Sequence, residues 1–286
     1  MADITAIIMT KNEEKNIIGC LDSIKNLCSR VVVIDCGSAD KTVELAKGLG
    51  ADVYFHEFEY YAKQFNWGLD NCDITTKWVI RLDADEQFPE NLCNEIEKNI
   101  QLHDNNSVNG FVLGSVYFFM GKPLKRIIGK RKLMVFKYGK ARIEDRRRDA
   151  HTILSDGEAI ILNEKFLHYD FKDLNNFIAR YNWYATREAQ DYIDYKNGKM
   201  ENEISDKSIQ KRRDKKFGIY YRMPMFLRCF MLFVVNYIFK GNIFDGIPAF
   251  IYHVLSSFWY RFVVDAKIYE YEKLGKEFEK LKAFGE

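Results

Sequence analysis

Between Ile4 and Tyr117 apolar β runs alternate with stretches of helical period, and that alternation restricts this part of the chain to a sheet of parallel character covered by helices. Ile4–Met9, Val31–Ile34, Asp52–Phe55 and Trp78–Leu82 read as strands. Ile17, Ile18, Leu21 and Ile24 form one helical stripe, and Val43, Ala46 and Leu49 form a second that follows a cap at Asp40. Ligands of open α/β sheets bind beyond the carboxyl ends of the strands. Those ends here carry Thr10-Lys-Asn-Glu13, Asp35-Cys-Gly-Ser38 and Asp83-Ala-Asp85, which gives this half the architecture of a nucleotide-binding domain.

The fourth strand delivers two carboxylates in an Asp-x-Asp arrangement. Alternation of side chains at a strand tip puts Asp83 and Asp85 on the same side, where two hard oxygen donors suit Mg²⁺ or Mn²⁺ held against a diphosphate. Solvated turns often carry such acids, so the surrounding residues decide the matter. With a nucleoside diphosphate over the strand ends, Asp35 would accept from a base N–H, while Thr10, Glu13, Asn12 and Ser38 would border base or ribose. Asp83 would face ribose or metal, and Asp85 the metal. Lys63 and Asn66 lie in a helix-like segment just before the metal strand, where a lysine can neutralise diphosphate charge as a point cation. The same residues also read as structure: Thr10, Asn12 and Asp35 as helix caps, Lys63 as a solvated surface charge.

A metal-bound nucleoside diphosphate is a leaving group, and transfer to an acceptor hydroxyl needs a carboxylate to remove its proton. Candidates lie in Glu144–His151. No G-x-S-x-G elbow is present, and neither G-x-G-x-x-G nor the P-loop pattern occurs, so hydrolase, nicotinamide and P-loop chemistries lose support. The formal charge of +2 gives no support to a nucleic-acid partner. Six scattered cysteines without a C-x-x-C pair suggest neither a disulfide framework nor a zinc site, and no leader-like segment precedes the first strand.

Residues 118–170 are basic and irregular, and 171–193 read as a helix with Phe177, Tyr181, Tyr184 and Ala185 on one side. A polar stretch ending in Lys211-Arg-Arg-Asp-Lys-Lys216 reads as a linker. Beyond it, Phe226–Phe239 is apolar nearly all round apart from Arg228. Ile243, Ile247, Phe250, Ile251, Val254, Leu255, Phe258, Trp259 and Phe262 form one stripe, capped by Asp245 with Pro248 in the first turn. The longest run without charged residues, 246–260, falls short of the ~18 residues of a membrane span. The tail therefore reads as packed helices, a dimer interface, or an in-plane membrane segment flanked by Lys/Arg.

The segments Ile-Ile-Met-Thr10-Lys-Asn12-Glu13, Val-Val-Val-Ile-Asp35-Cys-Gly-Ser38-Ala-Asp40 and Arg-Leu-Asp83-Ala-Asp85-Glu86, in this order and spacing, resemble the family 2 inverting glycosyltransferases. The likeness is to the branch of lipopolysaccharide-core β-1,4-glucosyltransferases and enzymes of O-antigen and capsule synthesis. It continues through Lys63-Gln64-Phe-Asn66, Phe119-Met-Gly121, Leu133-Met-Val-Phe136 and His168-Tyr-Asp170. What it implies is a GT-A fold, Rossmann-like with a mixed central sheet, carrying a C-terminal helical, apolar extension. Residues 1–117 would form the nucleotide-sugar half, 118–193 the acceptor and catalytic half, 194–216 a linker, and 217–286 a membrane-interfacial or dimerising tail.

The resemblance also implies single displacement with inversion from a UDP-sugar, aided by Mg²⁺ or Mn²⁺, onto a glycan or lipid-linked glycan acceptor. The enzyme would work in the cytoplasm, at the inner face of the membrane. Asp35 falls on the base-contacting position, and Asp83 and Asp85 on the ribose and metal positions; His168 completes the metal sphere or meets the diphosphate. Many members carry a His-Glu pair ahead of the segment ending in His168, where this chain has Asp149-Ala-His151-Thr152. Asp149 is the expected base, with Asp145 second. Alternatives are a peptide- or protein-modifying glycosyltransferase, a nucleotidyltransferase, or an inactive docking subunit; the intact Asp35, Asp83 and Asp85 oppose the last.

Overall fold

The computed structural model describes residues 2–127, 129, 131–145, 151–198, 217–275 and 278. The chain divides into two compact units, Met1–Phe118 with Ile127–Asp170, and Phe119–Arg126 with Phe171–Glu286. The strands are β1 (Ala2–Thr10), β2 (Cys28–Asp35), β3 (Asp52–Phe55), β4 (Trp78–Asp83), β5 (Glu86–Gln87), β6 (Val108–Phe119), β7 (Lys122–Pro123), β8 (Arg131–Lys137), β9 (Ala141–Ile143), β10 (Thr152–Leu154) and β11 (Glu158–His168). Helices α1 (Ile17–Ile24), α2 (Thr42–Gly48), α3 (Tyr61–Asn71) and α4 (Glu90–His103) lie between them.

In the first unit the mixed sheet runs in the order β3-β2-β1-β4-β8-β6-β11-β5. β1 to β4 are mutually parallel, β8 is antiparallel to both β4 and β6, and β11 is parallel to β6. This is the mixed α/β architecture expected. Period-2 alternation sorts each strand between two cores. Ile4, Ala6 and Ile8 of β1, with Trp78, Ile80 and Leu82 of β4, pack against α1, α2 and α4. Ile7 and Val79 face the opposite core, built with Ala62, Phe65 and Leu69 of α3. Full burial of one such side chain contributes about 1.5–3 kcal/mol. The α1 stripe differs from expectation at one place: the helix begins at Ile17, so the i, i+3, i+4, i+7 set is Ile17, Cys20, Leu21 and Ile24, and Ile18 is exposed.

The second unit holds α5 (Leu174–Lys196), α6 (Leu227–Phe233), α7 (Gly246–His253) and α8 (Tyr260–Leu274), with π-helical turns at Val234–Phe239 and Val254–Trp259. Asp173 caps α5 by accepting from the Asn176 N–H. The expected linker at 194–216 lies outside the described residues from 199 on, and 194–196 belong to α5. Ala185, Ala189 and Ile193 of α5 pack with Val264 and Ile268 of α8. Between them sits a buried polar network. Arg228 pairs with Asp265, and Glu188 accepts from the Tyr221 and Tyr260 hydroxyls and from Arg261.

One expectation for this unit is corrected, and one of the readings left open for the tail is disfavoured. Asp245 stands at the N-cap of α7 but makes no capping hydrogen bond, because its carboxylate accepts instead from the Arg126 N–H and guanidinium. The apolar stripe from Ile243 to Phe262 is not the core face: not one of its residues is buried. The helices instead turn Ala249, His253 and Ser257 inward. No single helix among the described residues is long and apolar enough to cross a membrane.

His253 donates to or accepts from Ser257 Oγ at 3.1 Å, and burial, aided by Lys240, pushes its pKa down to about 4. A depressed histidine binds fewer protons folded than unfolded. Stability is therefore complete above the unfolded value near 6.5 and declines as pH falls from there to about 4, by at most about 3 kcal/mol. Thermal unfolding followed across that window should show the decline, and His253→Gln should flatten it.

Candidate active site

The ends of β1 and β2 are tied together by their own polar groups. Asp35, only 4% exposed, accepts from Thr10 Oγ1 at 2.9 Å and from Ser38 Oγ through one oxygen. Its other oxygen accepts from the N–H groups of Gly37 and Ser38, at 2.9 and 2.8 Å. Gly37 has φ near 90°, a value that L side chains rarely adopt, and this lets the chain fold back over the carboxylate. Asn12 donates its N–H to Ser38 Oγ and accepts from the Ala39 N–H, while the Glu13 N–H donates to Thr42 Oγ1. Thr10, Asn12, Asp35 and Ser38 thus form one braced loop pair, with the Asp35 carboxylate at its centre rather than at its rim.

Alternation along β4 puts Val79, Arg81 and Asp83 on the α3 side. There Arg81 stacks over the Tyr61 ring and donates to its hydroxyl at 2.9 Å, and that hydroxyl donates to Asp83 at 2.5 Å. Arg81 also reaches Thr152 of β10 at 2.8 Å. The second Asp83 oxygen accepts from Lys132 Nζ at 3.0 Å, and the same ammonium donates to Glu86 at 2.5 Å. Burial would raise the Asp83 carboxyl, but the neighbouring Lys132 and Arg81 charges hold it well below the carboxylate range. Burial and the Asp83 charge push Glu86 up to about 7.

Asp85 has a different surrounding. β4 ends at Asp83, Asp85 lies in the turn before β5, and the two acids reach the same cleft while their oxygens engage separate partners. β5 pairs antiparallel with the end of β11, with His168 opposite Glu86, and the Tyr169 N–H donates to the Asp85 carbonyl at 2.8 Å. That pairing carries His168 and Asp170 alongside Asp85. His168 Nε2 lies 3.5 Å from the Asp85 carboxylate, and donor atoms of Asp85, His168 and Asp170 all lie within 4.8 Å of one another. Tyr117 donates to Asp170 at 3.3 Å and sets its ring edge-on to His168. Burial would depress His168, but the Asp85 hydrogen bond and charge, with Glu86 and Asp170, hold it above its ordinary value. Two carboxylates and an imidazole fit Mn²⁺ or Mg²⁺.

Asp83, Asp85 and His168 line one cleft of about 290 Å³ together with Met9, Lys11, Glu13, Ala84 and Lys132. Two ammonium groups therefore stand beside the carboxylate–histidine group, an arrangement that accepts an anionic ligand with its counter-cation. Lys63 and Asn66 do not line this cleft. Lys63 pairs with Glu59 at 2.6 Å, and Asn66 clamps the Ile143 backbone through both ends of its amide. Asp145 is exposed and accepts from the Tyr60 hydroxyl. Asp149 lies outside the described residues. Sequence reasoning gave no role to Lys11, Lys132, Asp170, Tyr61 or Arg81; the Lys130-Arg-Lys132 run and the acid two residues after His168 were the available signals.

The profile described as glycosyl transferase family 2 matches residues 5–168, a span that includes the whole of this cleft. An uncharacterized glycosyltransferase of Rickettsia typhi is 28% identical over 209 residues, 70% of each chain. The lipopolysaccharide core biosynthesis glycosyltransferase LpsC of Rhizobium meliloti is 23% identical over 275 residues, 93% of this chain and 92% of LpsC. Among solved structures, glucosyl-3-phosphoglycerate synthase from Mycobacterium tuberculosis is 21% identical, with a TM-score of 0.33 over 40% of this chain and 44% of that one. From the profile match over more than half of its length, the chain belongs to glycosyl transferase family 2, and the protein is a glycosyltransferase.

Proposed function

We propose that this glycosyltransferase moves a hexose from a UDP-sugar to a hydroxyl of a bacterial surface-glycan intermediate, in lipopolysaccharide core, O-antigen or capsule synthesis, with inversion at the anomeric carbon. One observation carries the reading: Asp85, His168 and Asp170 converge beside Lys11 and Lys132 at the carboxyl ends of the strands. Cation ligands and ammonium groups together complement the charge of a nucleoside diphosphate. The similarity to LpsC over 93% of this chain favours a glycan acceptor of lipopolysaccharide-core type, and we take that acceptor to be lipid-linked at the cytoplasmic face of a membrane.

Asp85, His168 and Asp170 would hold Mg²⁺ or Mn²⁺, which when bound neutralises charge developing on the departing diphosphate. Lys11 and Lys132 add positive charge from the protein itself. Asp83 keeps Lys132 in place and faces the cleft from the ribose side. Asn12, Glu13 and Ser38 would form the nucleoside rim, and the buried Thr10 and Asp35 fix their geometry from beneath. In the displacement the acceptor oxygen attacks the anomeric carbon from the face opposite the diphosphate. Its proton passes to the base carboxylate, assigned to Asp149 with Asp145 second, as the bond to the diphosphate oxygen breaks.

Asp149→Asn should leave donor binding within about twofold of wild type and lower transfer by about 10²–10⁴-fold. Full turnover of this variant would remove Asp149 from the mechanism. The proposed reaction itself is tested with radiolabelled UDP-sugars, Mn²⁺ and lipid-linked oligosaccharide acceptors. Label moving to the acceptor, and ceasing with EDTA, supports it. Transfer unaffected by EDTA, or from no UDP-sugar, overturns it.

A further inference from the structure

The described residues of the second unit display an exposed apolar surface. Phe239, Phe244 and Ile247 are 79%, 78% and 74% exposed, and Phe230, Val235 and Phe250 beside them in sequence are exposed too. A helix packed on its own protein normally buries its apolar stripe. Here α7 and the turn after it bury Ala249, His253 and Ser257 and leave Ile247 and Phe250 outside.

The apex of this surface is constructed, not frayed. Gly241 and Gly246, both at positive φ, bound a short 3₁₀ turn, and Asn242 donates to the Asn236 carbonyl at 2.7 Å from below. Asp245, the one acid of the apex, is held by Arg126 and so contributes little free negative charge. Lys122, Lys125, Arg222 and Lys240 are exposed on the same unit, and Lys211–Lys216 precede it in sequence with one acid among five bases.

We propose that the apex Phe239–Ile247, with the flanking faces of α6 and α7, docks on an anionic phospholipid bilayer, its aromatic and aliphatic side chains entering the headgroup–acyl boundary. Lysine is depleted from protein–protein interface cores, whereas aromatic residues interleaved with Lys/Arg are the pattern of interfacial membrane segments. Lys240 follows directly on Phe239 and is itself exposed among these side chains in sequence. Leu227–Phe239 and Asn242–Leu274 are bent by 68° against each other, and the former, at about 1.5 Å per residue, is shorter than a bilayer core. In-plane docking accommodates both facts, and a bent span by the same pair is the other arrangement that its joint length and composition allow. This surface goes beyond the transferase reading and stands or falls without it.

The full-length protein is floated with vesicles of phosphatidylcholine alone and with added phosphatidylglycerol, and its mass is followed by light scattering. Wild type should float with the anionic vesicles, less so at high salt. The triple variant Phe239→Ser, Phe244→Ser, Ile247→Ser should bind at least about a hundredfold more weakly, with its thermal transition and donor binding unchanged. Each single replacement should give an intermediate loss, which guards against misfolding of the triple variant. Absence of wild-type flotation, or equal flotation of all variants, overturns the proposal. So does a wild-type dimer that becomes monomeric in the triple variant without any vesicle binding, since a second copy would then be the occupant.

Discussion

Asp85→Ala should abolish metal-dependent donor binding and lower transfer by a factor on the order of 10³, with little change in folding stability. Its carboxylate belongs to the Asp85, His168 and Asp170 group, and its loss leaves two donors from opposite ends of the same short segment. The Asp85 backbone remains anchored, because its carbonyl accepts from the Tyr169 N–H whatever the side chain. Manganese titration followed by electron paramagnetic resonance would separate loss of the cation from loss of the fold. Asp83→Ala should behave differently: its oxygens are engaged by Tyr61 and Lys132, so that variant should lose stability as well as activity. Retained manganese affinity in Asp85→Ala would contradict the assigned ligand set.

Lys132→Met should produce the largest loss of stability, about 3–5 kcal/mol, or roughly 10 °C in the melting transition. The ammonium neutralises both Asp83 and Glu86, and Glu86 is 1% exposed. Removing it leaves two carboxylates in poor solvent contact beside each other. Glu86 already sits near 7 because burial and Asp83 disfavour its charge. A carboxyl raised in the fold holds its proton longer than the unfolded chain does, so its stabilising share is complete below the unfolded value and is lost as pH rises through about 7. Without Lys132 the folded value rises further, and the variant's deficit should grow between about pH 5 and pH 8. Urea unfolding at both values checks this. Adding Glu86→Gln should recover part of the stability but none of the lost donor affinity, because of this pair Lys132 lines the cleft and Glu86 does not. A stable single variant would remove the ion pair from the account.

The sheet was legible because burial on two faces writes continuous apolar runs into β1, β2 and β4, whereas the meeting of Arg81, Asp83 and Tyr61 depends on where α3 packs. The candidate site was legible only in part. Asp83 and Asp85 are visible as a pair, but the strand ends between them, and no local pattern reports where a strand stops within two residues. β5 is two residues long, below any periodic signal, yet its pairing with β11 brings His168 and Asp170 to Asp85. Lys132 stood in a run that composition reads as a charged loop. Asp35 was expected at the nucleobase; its four hydrogen-bond donors come from Thr10, Gly37 and Ser38, and hydrogen-bond saturation is a tertiary property. In the tail, hydrophobic period located a helix face but left open what it meets, since period records which residues align and not which side the protein covers.

Calorimetric titration of UDP-sugars into the wild-type protein, with Mn²⁺ and again with EDTA, tests the central claim most directly. The account predicts saturable binding of at least one UDP-sugar that requires the cation and disappears in Asp85→Ala. Equal binding with and without the cation, or no binding of any UDP-sugar in its presence, would contradict it.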